Sequence, residues 1–242
     1  MILPCEYLAK ATLKIKCGNT SGSGFHFMKP EIIVTNFHVI KPCIEQKERI
    51  FAITEHNNRT ELQLLAYSSE FDYAILKMTR KLKEERVALE PKEIIPYRGM
   101  KVCFAGFPYG ENVLLVQVAY VSGFLGDYGF YLDGSLNPGN SGGPIIDVSD
   151  KKVIGIVTFK RFVYKKELED VEKQIKFIHQ HFQKLGGKAG VIISGIDFGE
   201  FAQFMSKALE ILKYTLVMNA NTGIGAGYRI DFVMKKLKEI ET

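Results

Sequence analysis

The chain has no tryptophan, only 8 prolines and only 4 cysteines, and neither proline nor its 22 glycines recur at a fixed period. Collagen-like and low-complexity chains are thereby excluded. No apolar run approaches the ~18 residues that would span a bilayer. The longest, near Ile211–Met218, is broken by Lys213. The opening residues lack the apolar stretch of a secretory leader, because Glu6, Lys10, Lys14 and Lys16 interrupt it at once. An excess of one charge is missing too: 32 basic against 27 acidic side chains give +5. That balance is too even for a nucleic-acid footprint. The expectation is therefore a cytoplasmic protein with no membrane and no nucleic-acid partner. In a reducing compartment Cys5, Cys17, Cys43 and Cys103 are expected to be free thiols. Their irregular spacing gives no zinc pattern, and no metal or cofactor is implied.

What is present is globular: 46% hydrophobic and 24% charged residues over 242 positions, enough to bury a sizeable core. Up to about residue 160, short runs rich in Val, Ile, Phe and Tyr alternate with Gly, Pro, Asn and Asp clusters. Strands are expected at Glu31–Thr35, Ile50–Thr54, Leu62–Tyr67, Tyr73–Met78, Lys101–Ala105, Val113–Val121, Phe130–Leu132 and Val153–Thr158. Such spacing suggests an all-β barrel or sandwich. Beyond residue 162, Leu168, Val171, Ile175, Ile178, Phe182 and Leu185 step by three and four, predicting an amphipathic helix that Gly186-Gly187 stops. A second helix is expected from near Asp197, with Glu200 in a capping-box position and an apolar face of Phe201, Phe204, Met205, Ala208, Leu209, Leu212 and Leu216. A last helix is expected near Val233–Ile240. His179 and His181, two apart on a helix, do not share a face and make no metal site.

The most specific segment is Asn137-Pro138-Gly139-Asn140-Ser141-Gly142-Gly143-Pro144. Glycines around a serine let the backbone take positive φ and bring N–H groups close to a developing oxyanion. A Gly-rich β-turn is the plain alternative. A serine needs a base and a group that orients the base. His38, expected at the end of an apolar strand in the segment Ile32–Ile40, and Asp72, before an apolar strand in the segment Phe71–Leu76, are the candidates. Singly, each reads as a structural residue. In the order His, Asp, Ser they match one convergent form of the hydrolytic triad.

These segments together resemble the trypsin-like serine peptidases of chymotrypsin fold, most closely the HtrA/Deg-type protease domain. Ser21-Gly22-Ser23-Gly24-Phe25 with Thr35-Asn36 and His38-Val39-Ile40 is similar to the family's histidine segment. Asp72–Lys77 resembles its aspartate segment, Gly106–Gly110 its G-x-P-x-G turn, and Leu136–Pro144 its nucleophile loop. The resemblance covers roughly residues 20–160 and 220–240. It implies a mainly β, trypsin-like double β-barrel, with an α-helical insertion in the second barrel and a C-terminal helix. The chain, 1–242, is expected as a single protease domain: first barrel about 1–95, second about 96–160 and 219–242, insertion about 163–218. A peptide-binding PDZ domain is not expected, the chain ending at Thr242.

The resemblance further implies a serine endopeptidase acting on polypeptides through an acyl-enzyme. Ser141 would be the nucleophile, His38 the base and Asp72 its orienter. The N–H groups of Gly139 and Ser141, with Asn140 as a third candidate, would form the oxyanion hole. Ser135 would lie at the base of the specificity pocket, and Ile156-Val157-Thr158 would pair with substrate backbone. The insertion would serve as passive decoration, or else as a lid, a docking surface for a protein partner, or a means of self-association. The competing reading is a catalytically silent module of the same fold that binds a peptide or partner.

Overall fold

The computed structural model describes residues 4–110, 112–162, 165–185, 192–193, 196–219 and 221–241. It divides into two compact units, Met1–Arg161 with Gly223–Thr242, and Phe162–Thr222. In the first unit, helix α1 (Pro4–Ala11) leads into strands β1 (Thr12–Cys17), β2 (Thr20–Phe27) and β3 (Lys29–Thr35). Helix α2 (Phe37–Gln46), then β4 (Ile50–Ile53), β5 (Arg59–Ser68) and β6 (Tyr73–Met78), complete a closed barrel in the order β1-β2-β3-β6-β5-β4. A second closed barrel joins β7 (Lys101–Gly106), β8 (Leu115–Leu125), β9 (Gly129–Asp133), β10 (Pro144–Asp147), β11 (Val153–Phe162) and a later strand, Asn221–Arg229. Helix Asp231–Glu241 ends the chain.

Three apolar layers explain why the strands read as unbroken apolar runs. Leu13, Ile15, Ile33, Ala74 and Leu76 fill the first barrel. Val102, Phe104, Val121, Leu132 and Ile145 fill the second. The alternate residues Phe25, Val34, Ile75, Ala105 and Ile146 meet Leu8 of α1 and Val233 and Leu237 of the C-terminal helix in a third layer. Strands buried on both faces lose the in–out alternation that would mark a half-exposed sheet.

Two expectations are corrected here. The residues after Thr35 do not end a strand: His38 lies in the first turn of α2. The apolar run Phe37–Ile40 serves a helix as well as a strand, and periodicity over so few residues does not separate them. Nor are all the cysteines free. Cys17, closing β1, and Cys43, on α2, form a disulfide with Cα atoms 5.6 Å apart. Cys103 is buried and stands outside that disulfide. The free-thiol expectation rested on compartment alone, whereas the packing of α2 against the end of β1 brings Cys17 and Cys43 together.

In the second unit, α3 (Lys165–Leu185), the short strands β12 (Ile192–Ile193) and β13 (Ile196–Asp197), and α4 (Phe198–Asn219) precede the last strand, β14 (Asn221–Arg229), and α5 (Asp231–Glu241). Asp197 Oδ1 accepts the N–H groups of Gly199 and Glu200 at 2.7 and 3.1 Å, so it caps α4. The expected apolar face of α4 is buried only in part: Met205, Ala208 and Leu209 are half-buried and Phe201 meets Phe182 of α3. Ala202 and Ser206 are buried, Ser206 against His179 of α3, while Phe204 is 67% exposed. Gly186-Gly187, read as the stop of the first of these helices, lies outside the described residues. Among the described residues no helix is long and apolar enough to cross a membrane.

Candidate active site

Helix α2 starts at Phe37, and its N-terminal N–H groups need acceptors from outside the helix. The Asn36 side chain does not cap them; its Nδ2 donates instead to the Asp72 carbonyl at 2.7 Å. Asp72, in the β5–β6 connection, takes over that role, accepting the His38 backbone N–H at Oδ1 at 2.9 Å. Its other oxygen, Oδ2, lies 2.7 Å from His38 Nδ1. Asp72 holds this pose at φ +47°, a left-handed conformation that aspartate tolerates better than most residues. A third donor, Thr158 Oγ1, reaches Oδ2 at 2.8 Å.

A carboxylate can only accept, so Nδ1 of His38 carries the proton and Nε2 presents a lone pair. The His38 side chain is 48% exposed and that of Asp72 19%, so the imidazole opens to solvent and the carboxylate is shielded beneath it. The negative charge of Asp72 is felt nearby. Burial first, and then that charge, raise the Tyr228 phenol above its ordinary value.

Ser141 lies in the connection entering β10, between glycines at φ +102° (Gly139) and +88° (Gly142). A Cβ at Gly139 would sit 2.2 Å from the Phe107 carbonyl oxygen, and one at Gly142 2.1 Å from that of Ser23. Only glycine fits either place. The Ser141 hydroxyl donates to the Thr158 carbonyl at 3.2 Å, not to His38.

The N–H groups near this serine are distributed by what their peptide carbonyls hold. In a trans peptide the C=O and the following N–H point opposite ways. The Pro138 carbonyl accepts the Tyr109 N–H, which turns the Gly139 N–H to the other side. The Asn140 carbonyl accepts the Gly143 N–H at 2.9 Å, which does the same for the Ser141 N–H. Among the described residues neither turned N–H takes an acceptor. The Asn140 N–H, a third candidate, is already spent on the Asn137 carbonyl at 3.0 Å.

The other candidates fall in different surroundings. Ser135 is exposed, just beyond β9. Ile156 pairs across from Pro144, and Val157 exchanges both backbone groups with Gly142 and Gly143, so these two are engaged inside the barrel. Thr158, next along, faces the site with both its hydroxyl and its carbonyl. Asn36, Thr35 and Ser23 are functional-site neighbours that the sequence places in the histidine segment without a role of their own. All three are fully buried polar residues beside apolar ones, and that pattern was the available signal.

The family model described as trypsin-like peptidase domain matches residues 22–156. The chain is 29% identical over 152 residues to the chloroplastic Protease Do-like 1 of Arabidopsis thaliana, covering 57% of this chain and 33% of that protein. It is 31% identical over 141 residues to the mitochondrial Protease Do-like 4 of the same plant, covering 52% and 26%. The chain thus spans a third or less of the length of these curated relatives. Among solved structures, the serine endoprotease of Yersinia pestis matches with a TM-score of 0.57 at 24% identity, over 65% of this chain and 57% of that one.

Proposed function

The chain belongs to the trypsin-like peptidase family, and from that membership we propose that it is a serine endopeptidase that cleaves polypeptides through an acyl-enzyme. The observation that carries the reading is His38 Nδ1 held 2.7 Å from Asp72 Oδ2, because it leaves Nε2 as the acceptor that a serine nucleophile requires.

Ser141 Oγ attacks the scissile carbonyl as His38 Nε2 takes its proton. The carbonyl electrons move onto oxygen, which the turned N–H groups of Gly139 and Ser141 receive. The protonated imidazole faces Asp72, whose charge stabilises it. Collapse of the intermediate breaks the C–N bond, and His38 gives its proton to the leaving amine. Water then repeats the sequence on the acyl-enzyme, with His38 again as base. For the first step Ser141 must leave the Thr158 carbonyl and turn to His38, a rotation about one side-chain bond. The freed Thr158 carbonyl can then accept an N–H of substrate backbone. This shifts the substrate-pairing edge to Thr158, away from Ile156 and Val157.

The Ser141–Thr158 bond also favours a second reading, a silent module in which the serine never meets His38. Labelling with a serine-directed fluorophosphonate decides between them. The endopeptidase reading requires covalent labelling of Ser141, cleavage of an unfolded protein, and loss of both in Ser141→Ala. An unlabelled, folded parent chain would leave the silent module. The helical unit 162–222 is the proposed contact for a protein partner or a second copy, supported by the outward Phe204 and Ile211, 67% and 66% exposed. Replacing both with Asp and measuring mass in solution tests it. The compartment is proposed from Cys17 and Cys43: a standing disulfide belongs to an oxidising compartment and a reduced pair to the cytoplasm.

A further inference from the structure

We propose that Ser23 is a positioning residue for catalysis: its hydroxyl locks the nucleophile loop so that the Gly139 and Ser141 N–H groups stay turned toward the oxyanion. The inference rests on the endopeptidase reading and assigns a role that this reading leaves open.

Ser23 sits mid-strand in β2, in the first barrel, yet most of its hydrogen bonds cross to the second. It is fully buried. Its backbone N–H donates to the Ser141 carbonyl at 2.7 Å. Its Oγ donates to the Gly139 carbonyl at 2.6 Å and accepts the Phe107 N–H at 2.9 Å. Its own carbonyl accepts Thr35 Oγ1 at 2.6 Å. One small side chain thus joins the peptide that follows Gly139 to the turn 106–110. That turn carries Tyr109, whose N–H holds the Pro138 carbonyl and so aims the Gly139 N–H.

A small side chain is demanded by the space. A Cβ at Gly106 would lie 2.8 Å from Ser23 Oγ, and one at Gly142 2.1 Å from the Ser23 carbonyl oxygen. The hydroxyl is demanded by the chemistry, since it must donate to one backbone group and accept from another at once. A methyl group does neither. Without the hydroxyl, the Gly139 carbonyl and the Phe107 N–H both lose a buried partner. The turn 106–110 then loses its tie to Ser23, Tyr109 is no longer fixed against the Pro138 carbonyl, and the Gly139 N–H of that same peptide loses its fixed direction. Oxyanion donors act by being aimed before charge develops, so misdirection costs rate and not substrate binding.

The test uses the full chain, with peptide turnover, Ser23→Ala as the variant, and a peptide boronic acid as mimic of the tetrahedral state. Loss of one aimed donor costs about a hundredfold. The expected result is therefore a kcat lower by about that factor, with KM within about twofold. Affinity for the boronate should fall with kcat, while affinity for a cleaved product peptide should not change. A folded Ser23→Ala with parental kcat and parental boronate affinity overturns the inference, as does an equal loss of product and boronate affinity. Where Ser23→Ala does not fold, Ser23→Cys offers a weaker donor on a somewhat larger atom, and the same kcat and boronate comparison applies. A parent chain that neither turns over peptide nor labels with a fluorophosphonate would instead defeat the endopeptidase reading on which the inference rests.

Discussion

Ser141 and Thr158 hold each other in the resting site: the Ser141 hydroxyl donates to the Thr158 carbonyl at 3.2 Å, and the Thr158 hydroxyl donates to Asp72 Oδ2 at 2.8 Å. Thr158 therefore touches both the proposed nucleophile and the carboxylate that orients its base. Thr158→Val keeps the shape and the carbonyl but removes the donor to Asp72. A hydrogen bond to a charged group contributes about 1.5–3 kcal/mol. We expect kcat to fall on the order of tenfold or somewhat more, with KM little changed. Steady-state kinetics on a short peptide check this, and an unchanged kcat would show that His38 alone keeps Asp72 in place.

Members of a triad act as a unit, so Ser141→Ala and His38→Ala should each lower turnover on the order of a million-fold, and Asp72→Asn by less. Asp72→Ala carries a second cost, because the Asp72 carboxylate also accepts the His38 backbone N–H at the start of α2, a bond that the amide oxygen of Asn could still accept. That variant should melt lower than Ser141→Ala. Calorimetry on the pair measures the difference, and equal melting temperatures would refute the capping role.

Gly139→Ala puts a Cβ 2.2 Å from the Phe107 carbonyl oxygen, at a φ of +102° that alanine resists. The clash is with backbone, so the loop must move. Loss of an aligned oxyanion donor costs about 10²–10³ in kcat. Gly99→Ala serves as control, since Gly99 also has positive φ, +84°, but open space around it. Kinetics and unfolding of the two variants should show the activity loss confined to Gly139→Ala.

Much of this was legible in the sequence because the residues concerned are fixed by local chemistry. A serine among glycines, an aspartate before an apolar strand and the runs Ile32–Val34 and Tyr73–Leu76 announce themselves without tertiary information. What was not legible depends on what packs where. Phe37–Ile40 suits a helix or a strand until Asp72 supplies the cap. On α4 the small Ala202 and Ser206 are buried while Phe204 and Ile211 stay exposed, which the apolar spacing alone does not foretell. Ser23 looks like one more small residue of a strand until its four partners, on three other segments, are seen.

Specificity should follow charge. Ser135 places no counter-charge where the family reading puts the pocket base, and burying an unpaired Lys or Arg side chain costs several kcal/mol (roughly, from transfer of an unpaired charge). Cleavage is expected after uncharged, small to medium apolar residues. Cut sites mapped in a peptide library give the answer, and a dominant preference for Arg or Lys would sink the assignment.

Acid should destabilise the fold through His26. The residue is buried; its Nδ1 lies 2.6 Å from the Pro30 carbonyl, and among the described residues its Nε2 has no hydrogen-bond partner. A second proton would have to sit on Nε2, buried and facing the charge of Arg86. Burial pushes the pKa down from 6.5 to about 4, with the Arg86 charge adding to it and the Pro30 bond opposing it. The unfolded chain binds the proton first, so stability from this group is complete above about pH 6.5 and is lost as pH falls toward 4. The span is worth about 3 kcal/mol. Denaturant unfolding at several pH values should show the parent losing stability over that window while His26→Gln loses less. Parallel profiles for the two would remove His26 as the cause.

The Cys17–Cys43 disulfide ties the end of β1 to the helix that carries His38, closing a loop with 26 residues of separation. In the chain-entropy account such a cross-link stabilises by about 3–4 kcal/mol, acting on the unfolded chain. The disulfide takes up Cys17 and Cys43 and leaves out Cys103, which is buried. Thiol titration of the unfolded, unreduced chain should therefore find at most two reactive thiols, Cys103 and Cys5, and four after reduction. Reduction, or Cys43→Ser, should lower the unfolding midpoint. The effect on activity separates two roles for the cross-link. If α2 is held by its core residues Val39 and Ile40 and by the cap from Asp72, kcat of the folded, reduced protein stays at the parental value. If the disulfide positions His38 as well, kcat falls on reduction and returns on reoxidation. Neither the Asp72 cap nor the packing of Val39 and Ile40 passes through the sulfur–sulfur bond, so the first result is expected: a fold made less stable and a site left unchanged.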